Sequence, residues 1–271
     1  MDERFIGGRV RMPFNPVRRN RNIGTPKQGH GQNNRMIVPR PWISAGWCAA
    51  QLNPGQMLRR TVNGRDVTLI VEKTSGGCVH ACSVEDVVFF LSHVPLADWA
   101  GLETFVLRQP TRKARVLRPA WGRMFYYADL GFRGSSIEKS GPALFLEACN
   151  VGDTIEWSTS LDPEDAAELD RLRLDGHKVS RVGKKHLVST SLDSVRATQL
   201  YRTLLHEIGH WVDWLGKVEA PFAQGEDYST LYDPYFARPK GEVEAFAHRY
   251  ADNLRETLEK RGVIPFSRIE G

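Results

Sequence analysis

Cysteine is scarce. The chain has four in 271 residues, Cys48, Cys78, Cys82 and Cys149. That is too few to staple a chain of this length, so an apolar core rather than a disulfide framework must supply its stability, and a reducing cytoplasm is the expected setting. Long apolar runs are lacking too. No stretch reaches the roughly 18 residues of a membrane span, and Met1-Asp2-Glu3-Arg4 leads into no apolar segment of the secretory type, so no membrane partner is expected. There is no internal repeat.

Acidic residues are nearly missing from the first 42 positions. Nine Lys/Arg against two Asp/Glu give that region a net +7, and with +5 for the whole chain the remainder stands at −2. Arg18-Arg19-Asn20-Arg21 sits among scattered Pro, Gly, Asn and Gln with no amphipathic period. Such a composition cannot bury enough apolar surface to order itself, so 1–42 reads as a basic, disordered tail. It can meet nucleic acid or another polyanion through its charge. It has no aromatic interleaving of the kind that stacks bases.

From residue 43 to 271 the composition is that of one globular domain, with 43–110 as an accessory α/β subregion. Met57–Val62 and Asp66–Val71 flank Asn63-Gly64, which predicts a hairpin on a type I′ turn. Ser83 and Asp86 fit a capping box for a helix reaching His93. Strands are expected at Thr104–Leu107, Met124–Tyr127, Ala143–Ala148, Lys178–Val182 and His186–Ser189, and a helix at Pro163–Leu174. Pro142 at its start marks Gly141–Glu147 as an edge strand. Lys217–Gly241 is long for a structureless loop and is expected to cover a cleft. Cys78-Val79-His80-Ala81-Cys82 has metal-binding residue types, but only Cys48 and Cys149 remain to complete four ligands. Small buried residues are the simpler reading.

The chemistry is concentrated in His206-Glu207-Ile208-Gly209-His210. Leu200, Leu204, Ile208, Trp211, Val212 and Leu215 recur at helical spacing, which predicts one helix over Asp193–Leu215, capped by Ser191, Asp193 or Ser194 and ended by Gly216. Positions i and i+4 share a face, so both imidazoles reach one cation, and Glu207 lies about 100° round the helix, beside any water that cation holds. H-E-x-x-H with these properties is a zinc-hydrolase motif. Gly209 inside the helix costs up to about 1 kcal/mol and makes sense where another backbone or a substrate packs closely. A third ligand is needed, and Gly241–Ala251 forms a second amphipathic helix with Val243, Phe246, Ala247, Tyr250 and Leu254 as its buried stripe. Glu242 and Glu244 flank that stripe about 100° to either side, and periodicity leaves both open.

Over about 60 residues, 198–258, this pattern resembles the gluzincin metallopeptidases, in which a first helix carries HExxH and a second supplies a Glu. It is most similar to the lethal-factor and Mlc-titration-factor branch and to zincin-like domains found beside anti-restriction modules. Glu244-Ala245-Phe246-Ala247-His248 matches the ligand helix of those branches and implies Glu244 as the ligand. Stress-response peptidases of the ImmA/IrrE type match with Glu242. The resemblance implies an α+β, zincin-like fold, with a mixed β-sheet packed on the HExxH helix and on a C-terminal helix bearing the ligand. It implies one Zn2+ per chain held by His206, His210 and Glu244, with Glu207 as general base and a protein or peptide as substrate. Lethal-factor-like enzymes carry a Tyr seven residues before the ligand. Here that position is Ala237, which leaves Tyr228, Tyr232 and Tyr235 as candidate oxyanion donors. The alternative is a zincin-fold regulator or nucleic-acid-associated protein with a single dedicated partner.

Overall fold

A computed structural model describes residues 47–270 apart from positions 54, 118–119, 136–137 and 162; the basic region 1–42 lies outside the described residues. After β1 (Trp47–Leu52), the strands β2 (Gly55–Val62) and β3 (Arg65–Glu72) pair antiparallel, with Val62 opposite Arg65. Asn63 and Gly64 both take positive φ, 50° and 79°, which a type I′ turn requires. The short β4 (Cys78–Val79) precedes α1 (Val84–His93). The Ser83 side chain accepts from the Asp86 N–H and the Asp86 side chain accepts from the Ser83 N–H, closing the capping box. A 3-10 turn at Leu96–Trp99 then leads to β5 (Thr104–Arg108) and α2 (Arg112–Leu117).

Two long strands follow, β6 (Gly122–Phe132) and β7 (Glu138–Glu147). They complete a six-stranded mixed sheet in the order β1-β6-β7-β5-β3-β2, parallel at β1/β6, β3/β5 and β5/β7 and antiparallel at β2/β3 and β6/β7. Four strands from 47–108, β1, β2, β3 and β5, therefore share one sheet with β6 and β7. The expected edge at Gly141–Glu147 is corrected: β7 is interior, hydrogen-bonded to β5 on one side and β6 on the other. Pro142 is tolerated there because the β6/β7 register shifts between Phe125 and Ala128, opposite it. Alternation sends Leu69, Phe105, Leu107, Leu144 and Leu146 to the face that packs on the helices, and Ile70, Val106, Ala143 and Phe145 to the other face with Leu52 and Leu130.

Beyond β7, the short β8 (Cys149–Asn150) pairs with β4. β9 (Thr154–Ser158), α3 (Pro163–Leu174), β10 (Lys178–Val182) and β11 (Lys185–Ser189) build a small antiparallel sheet, β10-β11-β9, with its own apolar cluster around Leu169, Leu172 and Val188.

The motif helix is longer than its pattern predicts. It runs through α4 (Leu192–Ala197), a π-helical stretch at Thr198–Leu204, α5 (Leu205–Trp214), a second π stretch at Leu215–Glu219 and α6 (Ala220–Ala223). Ser191 caps its start through Ser194. Gly216 does not end it. Val218, fully buried in the main core, holds the next turn, and Lys217 pairs with Asp213 while Trp214 Nε1 donates to Glu219 (2.8 Å). The expected loop over 217–241 is likewise largely helical: α7 (Tyr228–Ala237) starts at an Asp227 cap. Last comes α8 (Lys240–Lys260).

α5 and α8 cross at Gly209. A Cβ built there would stand 3.0 Å from the Ala247 Cα, 3.1 Å from the Ala247 carbonyl oxygen and 3.1 Å from a Tyr250 ring carbon. Two of those neighbours are backbone and cannot swing aside, so the glycine lets the two helices approach closely. Gly209→Ala is expected to destabilise the protein by about 1–3 kcal/mol despite alanine's better helix propensity. Thermal unfolding checks this, and an unchanged or raised Tm would show that the helices are free to separate.

Candidate metal centre

His206 and His210 sit one turn apart on α5, and their Nε2 atoms converge to 3.1 Å. Glu244, from α8, brings its Oε2 to 3.2 Å from His206 Nε2 and 3.7 Å from His210 Nε2. These three are the group among the described residues whose donor atoms lie close enough to share one metal ion. Their chemistry fits zinc. Tetrahedral ligands about 2.0–2.1 Å from the ion stand roughly 3.3–3.4 Å apart, near the three separations observed. Burial, with the His206 imidazole next in weight, pulls the His210 pKa down, leaving a neutral nitrogen free to ligate. The hydrogen bond to His206 pulls Glu244 well below the usual carboxylate range, so it is ionised.

Glu242 is turned elsewhere. Its Oε1 stands 3.4 Å from Arg238 Nη1, and its side chain is 57% exposed. Arg238 in turn pairs with buried Asp213 on the motif helix and stacks on the Tyr235 ring at 4.4 Å. That corner fixes the rotation of the first turn of α8 and so helps decide which glutamate meets the histidines.

Glu207 faces the sheet. Its Oε2 accepts the Met124 N–H at 2.7 Å, which ties the carboxylate to β6. Burial pushes its pKa up from the ordinary glutamate value, against the opposing pull of His206 and of the Met124 hydrogen bond. A raised carboxylate is better matched to taking a proton near neutral pH. A cleft of about 380 Å³ opens here, walled by Gly122–Tyr126 and by His206, Glu207, His210, Val243 and Glu244. β1 pairs with β6 only from Tyr127 to Phe132, so among the described residues no strand covers Gly122–Tyr126 on that side. Among the described residues, the uncovered stretch thus belongs to β6 and lies against the site.

None of Tyr228, Tyr232 and Tyr235 lines the cleft. Tyr235 reaches it at one remove: its hydroxyl is 2.9 Å from that of Tyr126, which does. Burial pushes the Tyr126 phenol up to about 12 and raises that of Tyr235 further, so both stay protonated at neutral pH. Tyr228 packs against Phe222 and Tyr232.

Two contributors escaped the sequence reading. The β6 segment left no local signal, because which strand borders a helix is a non-local property. His248 did leave one, its i+4 spacing from Glu244. Its ring lies 4.4 Å from that of His206. That packing matters because the Nδ1 atoms of both His206 and His210 are buried without a hydrogen-bond partner among the described residues, whereas ligand histidines usually donate that proton. Ring contacts therefore fix the His206 orientation.

The cysteines do not assemble. His80 Nε2 is engaged with the Glu72 carbonyl oxygen (2.8 Å). Cys82 is buried against Gln199, with its thiol pushed up by burial. No cysteine joins a metal-holding group among the described residues.

No family model matches the chain, and no curated protein and no solved structure is significantly similar to it.

Proposed function

We propose that this chain is a zinc-dependent metallopeptidase of the gluzincin type, with a zincin-like fold and Glu207 as general base. The observation that carries the reading is the convergence of His206 Nε2, His210 Nε2 and Glu244 Oε2 beside a half-buried carboxylate tied to β6. A zinc ion held there supplies Lewis acidity, polarising a scissile carbonyl and making water a competent nucleophile near neutral pH.

The protein's own groups do the rest. An extended peptide adds alongside the open Gly122–Tyr126 edge, main chain to main chain, and this sets the scissile bond over α5. Glu207 takes the proton from the attacking water and returns it to the leaving amine. The Met124 hydrogen bond aims the carboxylate and removes a rotamer that would turn it from the cleft. Tyr126, its hydroxyl held by that of Tyr235, walls one side with a neutral phenol.

Elemental mass spectrometry on protein purified without added metal tests the site. The wild type is expected to carry one zinc per chain, with His206→Ala and Glu244→Ala losing most of it and Glu242→Ala keeping it. A zinc-free wild type that takes up none on titration overturns the enzyme reading. Retention in Glu244→Ala moves the third ligand elsewhere.

A further inference from the structure

A second cavity, larger than the cleft, does not lie over the metal centre. It holds about 650 Å³ and sits beyond the C-terminal ends of β5 and β7, between α2, β8, β9 and α3. Its volume falls in the range of small-ligand sites, and the carboxyl ends of parallel strands are where open sheets most often bind ligands. Two links join it to the cleft. Trp121 lines the cavity and Gly122, the next residue, lines the cleft. Glu147 of the cavity stands 3.7 Å from Arg123 of the cleft wall. An extended chain lying along Gly122–Tyr126 and leaving past Gly122 therefore comes directly to the cavity mouth, since one residue advances about 3.4 Å.

The walls describe what enters. Pro110, Ala114, Ala120, Trp121, Ala148 and Ile155 are apolar, and most are small, which leaves room for one large side chain against the Trp121 ring. Charges of both signs stand round them, Arg112 and Arg115 against Glu147, Asp153 and Glu168, so a net charge of either sign gains little. Glu147 is itself only 6% exposed and paired with Arg108 and Arg123, each at 3.7 Å, so its charge is already answered on the protein side.

The geometry points to this cavity as a specificity subsite for a neutral aromatic side chain near the scissile bond; the subsite role rests on the peptidase reading above. The aromatic body fills the small-residue walls and packs on Trp121.

Binding is measured first, by titrating full-length protein with the N-acetyl amides of tyrosine, tryptophan, phenylalanine, lysine and glutamate and following the affected residues by NMR. Tyrosine, tryptophan and phenylalanine amides are expected to bind at least about tenfold more tightly than lysine or glutamate amides. Ala120→Phe, which fills the cavity from an exposed position, is expected to weaken all aromatic binding at least about tenfold. Equal binding of the charged amides, or aromatic binding that Ala120→Phe does not change, overturns the proposal. Zinc-loaded enzyme is then given a peptide series in which Tyr or Trp replaces Ala at successive positions. Faster cleavage at one position, lost in Ala120→Phe, supports the subsite. Cleavage with no aromatic preference overturns the subsite and leaves the peptidase reading standing. Aromatic binding with no cleavage of any peptide overturns the peptidase reading instead.

Discussion

Glu207→Gln is expected to hold as much metal as the wild type, one ion per chain on the proposed reading, and to lose peptide hydrolysis by a factor of about 10²–10⁴. The substitution is nearly isosteric, and an amide oxygen can still accept the Met124 N–H that holds the carboxylate now. What disappears is the capacity to take a proton. Neither ligand histidine is touched, and Glu244 approaches them from the other helix. Metal content and turnover should therefore separate cleanly in this one variant. Turnover within a factor of two of wild type would remove Glu207 from the chemistry. Loss of metal together with activity would mean that the carboxylate is itself a ligand. Glu207→Ala is the harsher control, since it also frees β6 from the helix.

Asp86→Ala is expected to destabilise the fold by about 3–5 kcal/mol, the usual cost of leaving a buried charge without its partner. Asp86 sits at the start of α1 with a side chain 0% exposed, and Arg196, on α4, is 6% exposed. The guanidinium donates from Nε and Nη2 to both carboxylate oxygens at 2.8 Å. Asp86 also accepts from the Ser83 and Ile269 backbone N–H groups, while Arg196 donates to the Phe266 carbonyl oxygen and lies over its ring. One ion pair thus ties α1, the root of the motif helix and the C-terminal segment together. At about 2–4 °C per kcal/mol for a domain of this size, the loss should be plain in a melting curve. Asp86→Leu combined with Arg196→Met should recover much of the loss, because the buried charge is then gone as well. An additive double variant would deny that the two residues act as a pair.

The same pair gives stability a definite dependence on pH. Burial alone raises an aspartate pKa, but the Arg196 and backbone hydrogen bonds outweigh it and hold Asp86 below its ordinary value. A carboxylate depressed in the fold contributes its full stability above the unfolded pKa of about 3.9 and loses it as pH falls from there towards the folded value. Wild-type stability should therefore show an acid-side slope below about pH 4 that Asp86→Leu/Arg196→Met reduces.

Local chemistry fixed much of what the sequence made legible. Asn63-Gly64 demanded its turn, Ser83 and Asp86 their capping box, and the 3.6-residue period around His206 its helix, because each depends on residues within a few positions of one another. Errors came where distant residues outvoted local ones. Gly216 reads as a terminator, yet the core keeps Val218 buried and the helix runs on. Pro142 reads as an edge, yet a bulge absorbs its missing N–H and β7 lies inside the sheet. The aromatic-rich stretch after Gly225 has a weak period and reads as loop, but it becomes α7 beside Trp214 and Tyr126.

By itself, the sequence determined that two imidazoles share a helix face with a carboxylate beside them, since 3.6 residues per turn leaves no other outcome once the helix forms. It also narrowed the third donor to two glutamates. Only the tertiary structure turned Glu244 rather than Glu242 towards the histidines. The Gly209–Ala247 contact sets how closely α8 approaches α5, and the Arg238–Asp213 pair sets how α8 is rotated. Only the strand order set the Gly122–Tyr126 stretch of β6, uncovered on that side among the described residues, beside Glu207. Both outcomes depend on packing between segments far apart in the chain, where helical and strand periodicity carry no information about which partner a face will meet.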